Sequence, residues 1–456
     1  FIDLTIGSCV IHEITQGITS HKLEELYRLL EIYNPIEIIF CFDDSKFNQI
    51  FSAITNFAKK IHIMPKVQKE YKYISYQNEI LKKTFNTEGL LTPIEQLDLE
   101  YYHFARISLT NLICFCFDHC SSNIKSLTCP KYHQDNSFLV LHNNSIYQLG
   151  VISQSPSEKS LFDIVNHTST PLGKRLLKMQ LMKPYGTSTD IIDIHNKMTR
   201  IWNSTDILHS YLKQICDLEK IHRKLALFNI QPNELITLFT SYNSINEILI
   251  LYPNVHISNN INILLNSIKE TFSIEYCEKY SLLSEARNNL CNKSNKTLES
   301  LVSKYQKRQT AFDNECSILS NIIGIKDSIK IDTNTKHGMH IYTTVTRSKL
   351  IHKSNSNYRI INDGSKAIIN NDTINTLIHD ITQTETDLNL MISKIFTDTL
   401  EIWYNDYKNL FESIHEYVAD VDVIKSRIIT ANKYGYVKPN IIEGKVSSIS
   451  INQLRH

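Results

Sequence analysis

The sequence predicts a multidomain α+β chain that is mainly α, and three observations carry that reading. The first 65 or so residues alternate strand and helix. Nearly everything beyond Ser160 is patterned as amphipathic helix. Two heptad-patterned stretches, Leu298 to Ile323 and Ile374 to Ile402, bracket a basic, strand-like insert. The expected order is an α/β domain over 1–90, a first helical part over 91–290 and an arm with a basic β tip over 291–373. A returning arm helix and the end of the helical domain then span 374–440, followed by a short segment, 441–456.

In the N-terminal unit, Phe1 to Ile6 and Cys9 to Ile14 read as strands around Gly7. A helix follows from about His21 to Ile32, a strand from Glu37 to Phe42 after Asn34-Pro35, a helix over Ser45 to Lys59 and a strand over Ile61 to Met64. The expected product is a mixed sheet with flanking helices. Thr92-Pro93-Ile94-Glu95 is a capping box with proline at the first helical position, opening a helix towards Phe117. Ser155-Pro156-Ser157-Glu158 repeats that chemistry. Between them, Ser137 to Leu141 and Ser145 to Gly150 flank His142-Asn143-Asn144, predicting a β-hairpin. Thr170-Pro171 starts a helix with Leu172, Leu176 and Leu177 inward, stopped by Lys183-Pro184. Ile191 to Asn203, Ile207 to Leu227 and Glu234 to Leu251 follow as amphipathic helices.

The arm rests on a seam of alternating four- and three-residue steps: Leu298, Val302, Tyr305, Gln309, Phe312, Cys316, Leu319 and Ile323. Ile374, Ile378, Ile381, Leu388, Ile392, Ile395 and Ile402 keep the same phase, broken by Glu385 and Thr399. Two such seams zip antiparallel, and at ~1.5 Å per residue each helix runs roughly 40 Å. The insert reads as strand over His340 to Thr346, with a turn at Asn362-Asp363-Gly364. From Lys326 to Lys366, eight Lys and Arg residues face three Asp, in a chain whose formal net charge is only +1. Concentrated positive charge suits a phosphate backbone, bound without regard to base sequence. The candidate DNA contacts are Lys336, His337, Arg347, Lys349, Lys353 and Arg359. The competing reading is a solvated face that keeps an exposed tip soluble.

Composition sets outer bounds. With 456 residues, 42% hydrophobic and 21% charged, about three soluble globular domains are expected. No stretch reaches the ~18 apolar residues of a membrane span. The start at Phe1 shows neither an initiator Met nor a signal peptide, so the chain is expected to begin mid-protein. Ten irregularly spaced cysteines point to reduced thiols in an intracellular compartment, whether nuclear, mitochondrial, viral or bacterial.

Particular residues then narrow the field. Leu161-Phe162-Asp163-Ile164-Val165-Asn166, Thr170-Pro171-Leu172-Gly173-Lys174-Arg175-Leu176-Leu177 and Leu181-Met182-Lys183-Pro184 resemble the opening of the lever domain of MutS-type DNA mismatch-repair proteins. Asp217-Leu218-Glu219-Lys220 to Leu225-Ala226-Leu227 resembles that domain's next signature. Phe1 to Gly7, with Asn34-Pro35-Ile36-Glu37-Ile38-Ile39, is similar to the start of the connector domain, which implies an RNase H-like α/β fold. Val418 to Val423 and Tyr436 to Ile441 resemble the lever's return, and Leu454-Arg455-His456 the approach to the ATPase domain. The general style of the chain is similar to the branch of the family found in large DNA viruses and octocoral mitochondria.

The resemblance implies connector, lever and clamp: a long antiparallel helical arm with a small β clamp at its tip, closing on duplex DNA and coupling that closure to ATP state. It also implies a MutL-like repair partner and a homodimer or paralogue heterodimer in the full-length protein. The chain contains no Gly-x-x-x-x-Gly-Lys-Ser/Thr loop and no Phe-x-Glu wedge, so no cofactor is expected in this chain. ATP and magnesium are expected only in an ATPase domain outside it, and mismatch recognition in a separate N-terminal domain.

Three other constellations compete with plain structural roles. Asp3 and Asp43-Asp44 could meet across an RNase H-like sheet and hold two metal ions for a nuclease, although an Asp at a strand end is usually a turn or cap residue. Cys114, Cys116, His119, Cys120, Cys129 and His133 offer zinc-type donors, but without Cys-x-x-Cys knuckles; buried thiols and a surface His are the expected reading. Lys174, Arg175 and Lys178 are expected to be solvated, and Arg223 and Lys224 to pair locally with Glu219. Beside the clamp and the nuclease, the remaining alternative is a helical scaffold without DNA function.

Overall fold

A computed structural model describes residues 1–456 except 15–19, 42–50, 52–53, 56, 65, 86, 88, 134–137, 140, 142–144, 154–157, 286–287, 293–295, 326–327, 335–337, 355–357, 443–447 and 453–456. Side chains of 20–23, 288 and 352–354 are likewise left out. The chain is mainly helical with small sheets. It divides into two compact units, one of residues 1–230, 237–265 and 403–456, the other of residues 231–236 and 266–402.

The first unit opens with β1 (Ile2–Asp3), β2 (Ser8–Ile11), α1 (Ser20–Tyr33), β3 (Glu37–Cys41) and β4 (Lys60–Met64). β2 pairs antiparallel with β1 and parallel with Lys131–Tyr132, while β3 and β4 form a separate parallel pair. The expected single mixed sheet is thus realised only in part: β1 and β2 join Lys131–Tyr132 in one mixed sheet, and β3 and β4, expected in the same sheet, form a separate parallel pair. The helix expected over Ser45 to Lys59 and the pair Asp43-Asp44 lie largely or wholly outside the described residues.

α2 (Ile74–Phe85) is followed by α3 (Pro93–Gln96) and α4 (His103–Cys120). The Thr92 capping box is real: the Glu95 amide donates to Thr92 Oγ1 at 3.4 Å and the Thr92 amide to Glu95 Oε2 at 2.7 Å. It opens a single turn only, because the chain bends at Asp98, whose φ of 54° leaves the helical basin before α4 begins. The hairpin predicted around 142–144 is corrected: Ser145–Gln148 is a short helix, α5, with β5 being Lys131–Tyr132. Gly150 closes that turn at φ 62°, which lets the Val151 amide reach the Ile146 carbonyl at 2.8 Å. The start expected at Ser155 to Ser157 falls outside the described residues. Ser160 and Asp163 form the capping box of α6 (Leu161–Val165) instead.

α7 (Pro171–Met182), α8 (Ser188–Ile201), α9 (Thr205–Leu212), α10 (Leu218–Ala226), α11 (Pro232–Leu251), α12 (Val255–Thr271) and α13 (Ile274–Lys279) follow. The single helix expected over Ile207 to Leu227 is thus two. The break falls where Asp217 leaves helical geometry and accepts both terminal nitrogens of Arg175, at 2.6 and 3.2 Å. Arg175 also pairs with Glu219, so this half-exposed side chain is ion-paired as well as solvated. Arg223 is buried and donates to the Ser126 and Lys125 carbonyls at 2.6 and 2.8 Å, which replaces the expected pairing with Glu219. A Cβ on Gly7 would stand 2.8 Å from Arg223 Cδ, so this close crossing needs glycine.

The last helix, α16 (Asp372–Tyr434), packs its C-terminal half in the first unit, through Val418, Val421, Ile424 and Ile428. Asp422 and Lys425 are both fully buried on it, 2.8 Å apart. The Asp422 carboxylate also accepts the Thr170 amide and hydroxyl at 2.7 Å each and the Ser169 amide at 2.9 Å. Lys425 donates to Ser169 Oγ at 2.6 Å. Nearby, the fully buried ring of Tyr242 sends its hydroxyl to His222 at 2.6 Å, and His222 meets His415 at 2.7 Å. Burial pushes both imidazoles towards the neutral form, His415 down to about 4.

In the second unit, α14 (Lys296–Ile323) and the N-terminal half of α16 carry the two predicted seams. Leu298, Phe312, Leu319 and Ile323 are buried as expected, and Gln309 is exposed. On α16 the buried line runs Ile374, Ile381, Thr384, Leu388, Ile392, Phe396 and Leu400, leaving the predicted Ile402 58% exposed. Successive steps of four outrun the 3.6-residue turn, so the buried line drifts away from a strict heptad. Arg308 of α14 reaches the Asp380 carbonyl at 3.0 Å and the Thr384 hydroxyl, tying the seams together. The arm ends in β6 (Lys330–Asn334), β7 (Gly338–Thr344), α15 (Val345–Ser354), β8 (Arg359–Asp363) and β9 (Lys366–Asn370), an antiparallel sheet of order β6-β7-β9-β8. Val345 and Thr346, expected as strand from their branched side chains, begin a helix, because the three-residue step from Ser348 to Ile351 is what buries both. Among the described residues no helix is long and apolar enough to cross a membrane.

Two outcomes follow. Asp422→Ala leaves Lys425 charged and buried without its partner and should cost on the order of 3 to 5 kcal/mol in urea unfolding. Because His415 is neutral in the fold and ordinarily titrates near 6.5, its contribution is complete above pH 6.5 and is lost as pH falls towards about 4. Thermal melts across that range should show the loss, reduced in His415→Phe.

Candidate nucleic-acid interface

Strand alternation sorts the tip into two faces. Register places Ile331, Ile341, Ile369 and Ile360 side by side, and it places Lys330, Tyr342, Ile368 and Ile361 side by side on the other face. The first set packs inward except at the edge strand, where Ile331 is 51% exposed: Ile341 and Ile369 pack with Ile351 of α15 and with Phe312, Leu319, Ile323, Ile374 and Ile381 of the arm. That core is why the insert stands as a sheet on the helices. It also forces Lys330, Arg359 and Lys366 onto the outer face, where all three are exposed.

The outer face carries three cations, Lys330, Arg359 and Lys366, together with Asp332 and Asp363 and the Tyr342 ring. Lys366 Nζ sits 4.3 Å from the centroid of the Tyr342 ring and 2.9 Å from Asp332 Oδ2. The hydrogen bond from Lys366 holds the Asp332 carboxyl below the usual carboxylate range, and Asp332 in turn raises the Lys366 ammonium. Lys330 and Arg359 have no ion-pair partner among the described residues. Exposed Ile361 completes this surface. His340 is buried and hydrogen-bonds the Gly338 carbonyl at 2.9 Å.

The sequence-derived candidates do not form one cluster. Arg359 lies on the outer sheet face, whereas Arg347 and Lys349 lie on α15, which packs against the inner face through Ile351. Arg347 is half-buried and Lys349 exposed. Lys353 belongs to α15 but its side chain is outside the described set, and Lys336 and His337 lie outside the described residues altogether. Lys330 and Lys366 belong to the basic excess of the insert but not to the six candidates. The signal that finds them is two-residue alternation read together with strand register.

The competing chemistries take structural places. Asp3 accepts the Thr5 amide and hydroxyl at 2.9 and 2.6 Å, the behaviour of a turn residue. Among the described residues no three His, Cys, Asp or Glu side chains stand in a metal-ready group. Cys114 is buried beside Tyr76 and His133 against Tyr33 and Lys183, whereas His119 is the expected surface His, and Cys120 and Cys129 are exposed thiols rather than the buried ones expected.

With this geometry established, comparison with known proteins is decisive for the family. Residues 144–427 match the model of MutS domain III. The chain belongs to the MutS family. The putative DNA mismatch repair protein mutS homolog L359 of Acanthamoeba polyphaga mimivirus is 24% identical across 100% of the chain and 47% of its own length. The mitochondrial DNA mismatch repair protein mutS homolog of Sarcophyton glaucum is 26% identical over 87% of the chain and 42% of its own length. The DNA mismatch repair protein MutS of Petrotoga mobilis is 22% identical over 95% and 52% respectively. The MutS-type chain thus spans about half the length of the curated relatives it matches. The large-virus and octocoral likeness read from the motifs is present among them.

The Asp332–Lys366 pair is exposed, so Asp332→Asn should leave the melting temperature within about 1 °C while releasing Lys366 from its partner, measurable as a downward shift of the lysine's titration by NMR.

Proposed function

We propose that this chain is the DNA-binding and conformational-coupling core of a MutS-type mismatch-repair ATPase. The observation that carries the proposal is the outer face of the tip sheet in a chain of this family: Lys330, Arg359 and Lys366 are exposed on the same face as Tyr342. Cations spaced over a twisted sheet suit the phosphates of duplex DNA, where contacts position the protein without reading bases. Tyr342 and Ile361 supply apolar area against deoxyribose.

In this reading the long helices transmit closure of the clamp. ATP and magnesium act in an ATPase domain elsewhere in the full-length protein. A MutL-like partner and a second subunit, identical or paralogous, complete the assembly. The mismatch-repair names of the relatives support this assignment, as does the paired-seam arm that carries the sheet.

Fluorescence-anisotropy titration of a labelled duplex at two salt concentrations tests it. Affinity should fall with salt, and Lys330→Glu/Arg359→Glu/Lys366→Glu should weaken binding to any duplex and reduce the salt slope by about 0.9 per lost phosphate contact. Arg347→Glu/Lys349→Glu measures what α15 adds. If the sheet-face variant binds as the parent does, the contact lies elsewhere; no binding even at low salt favours a scaffold role.

A further inference from the structure

Within the first unit, three helices and the segment after the last of them wall a cavity of about 370 Å³, a size that suits a small organic ligand. Leu177, Gln180 and Leu181 of α7 are spaced i, i+3 and i+4, so they share one helix face, and Arg427, Thr430 and Ala431 repeat that spacing on α16. His195, Met198 and Thr199 do the same on α8, with Trp202 one turn further on. The fourth wall depends on a helix end. Gly435, at φ 66°, takes the left-handed conformation that stops α16, and the Tyr436 amide returns to the Ala431 carbonyl at 2.9 Å. That turn carries Tyr436, Val437 and Lys438 to the cavity.

The cavity holds charge of one sign. Arg427, Lys438 and His195 line it, and among the described residues no Asp or Glu does. Burial lowers the His195 imidazole from its ordinary value, and nearby Lys438 and Arg427 lower it further. The Arg427 guanidinium donates to Gln180 Oε1 at 2.7 Å, a neutral acceptor. Asp420 is within electrostatic reach of Arg427, but it is held by Lys197 at 3.1 Å and lines a different cavity. His195 Nδ1 is buried with no hydrogen-bond partner among the described residues. Cations gathered against low-dielectric walls draw negative charge into a cleft.

We propose that this cavity binds a small organic anion with a flat apolar body, an aromatic carboxylate or sulfonate by class. Trp202, Met198 and Leu181 cover the rings, Arg427 and Lys438 hold the charged group, and His195 donates to it from Nδ1. Occupancy fastens the Tyr436-to-Pro439 segment to α7 and α8. The proposal does not rest on the DNA-binding reading.

Two dyes titrated into the full chain test it: anilinonaphthalene sulfonate, and phenylnaphthylamine, the same ring system without the sulfonate. One equivalent of the sulfonate should bind, more tightly than the amine, with emission excited through tryptophan. Trp202→Phe should remove most of that sensitised emission, because the chain's other tryptophan, Trp403, lies roughly 36 Å from Arg427 along α16. Lys438→Glu, at an exposed position, should weaken the sulfonate about tenfold and leave the amine unchanged. Thr199→Phe, also exposed, should exclude both dyes, and circular dichroism matching the parent separates lost binding from lost fold. Equal affinity for the two dyes points to an apolar protein segment as the occupant and overturns the anion assignment, as does sulfonate binding unchanged in Lys438→Glu. Uptake of many equivalents without tryptophan-sensitised emission overturns the site itself.

Discussion

Asp422 has no exposure to solvent, and its charge is balanced by Lys425, by the amides of Ser169 and Thr170 and by the Thr170 hydroxyl. These groups come from stretches some 252 positions apart. The carboxylate sits against the amino end of α7, where free amides and the helix dipole favour negative charge. Gly173 is part of the arrangement, since a Cβ there would collide with Asp422 Oδ2. The last helix is held against the first turns of α7 by this junction, extended by Ser426 to the Val165 carbonyl at 2.8 Å and by Arg427 to Gln180 at 2.7 Å. A buried pair is retained here inside a dense set of hydrogen bonds, the condition under which its desolvation is offset.

Around it the first unit repeats one solution in other chemistry: a side chain from a helix satisfies backbone groups of a distant segment. Arg223 binds loop carbonyls beneath Gly7, and Tyr417 donates to the Tyr252 carbonyl at 2.5 Å. The Tyr242–His222–His415 line joins distant helices through neutral rings, which ties its integrity to pH. In the second unit the governing constraint is apolar. The inner sheet face must be covered, and by being covered it decides which cations the outer face displays.

Much of the fold was legible locally. Leu298 to Ile323 announced its buried line through spacing, and Thr92 and Thr170 announced helix starts, because side-chain period and capping are properties of neighbouring residues. The strand-to-helix change at Val345 was not legible, since branched residues suit either state when burial decides. Nor was the short helix at Ser145, which depends on the Gly150 turn.

The sequence by itself determined the family, the helical arm and the excess of positive charge in its insert, all carried by ordered motifs, periodicity and composition. Only the tertiary structure decided that Lys330, Arg359 and Lys366 share a sheet face, that Arg175 pairs with Asp217, and that buried Arg223 binds the Ser126 carbonyl. The physical reason is that these partnerships join residues tens to hundreds of positions apart. Their geometry follows from which faces pack and which strands pair, and no local spacing encodes that.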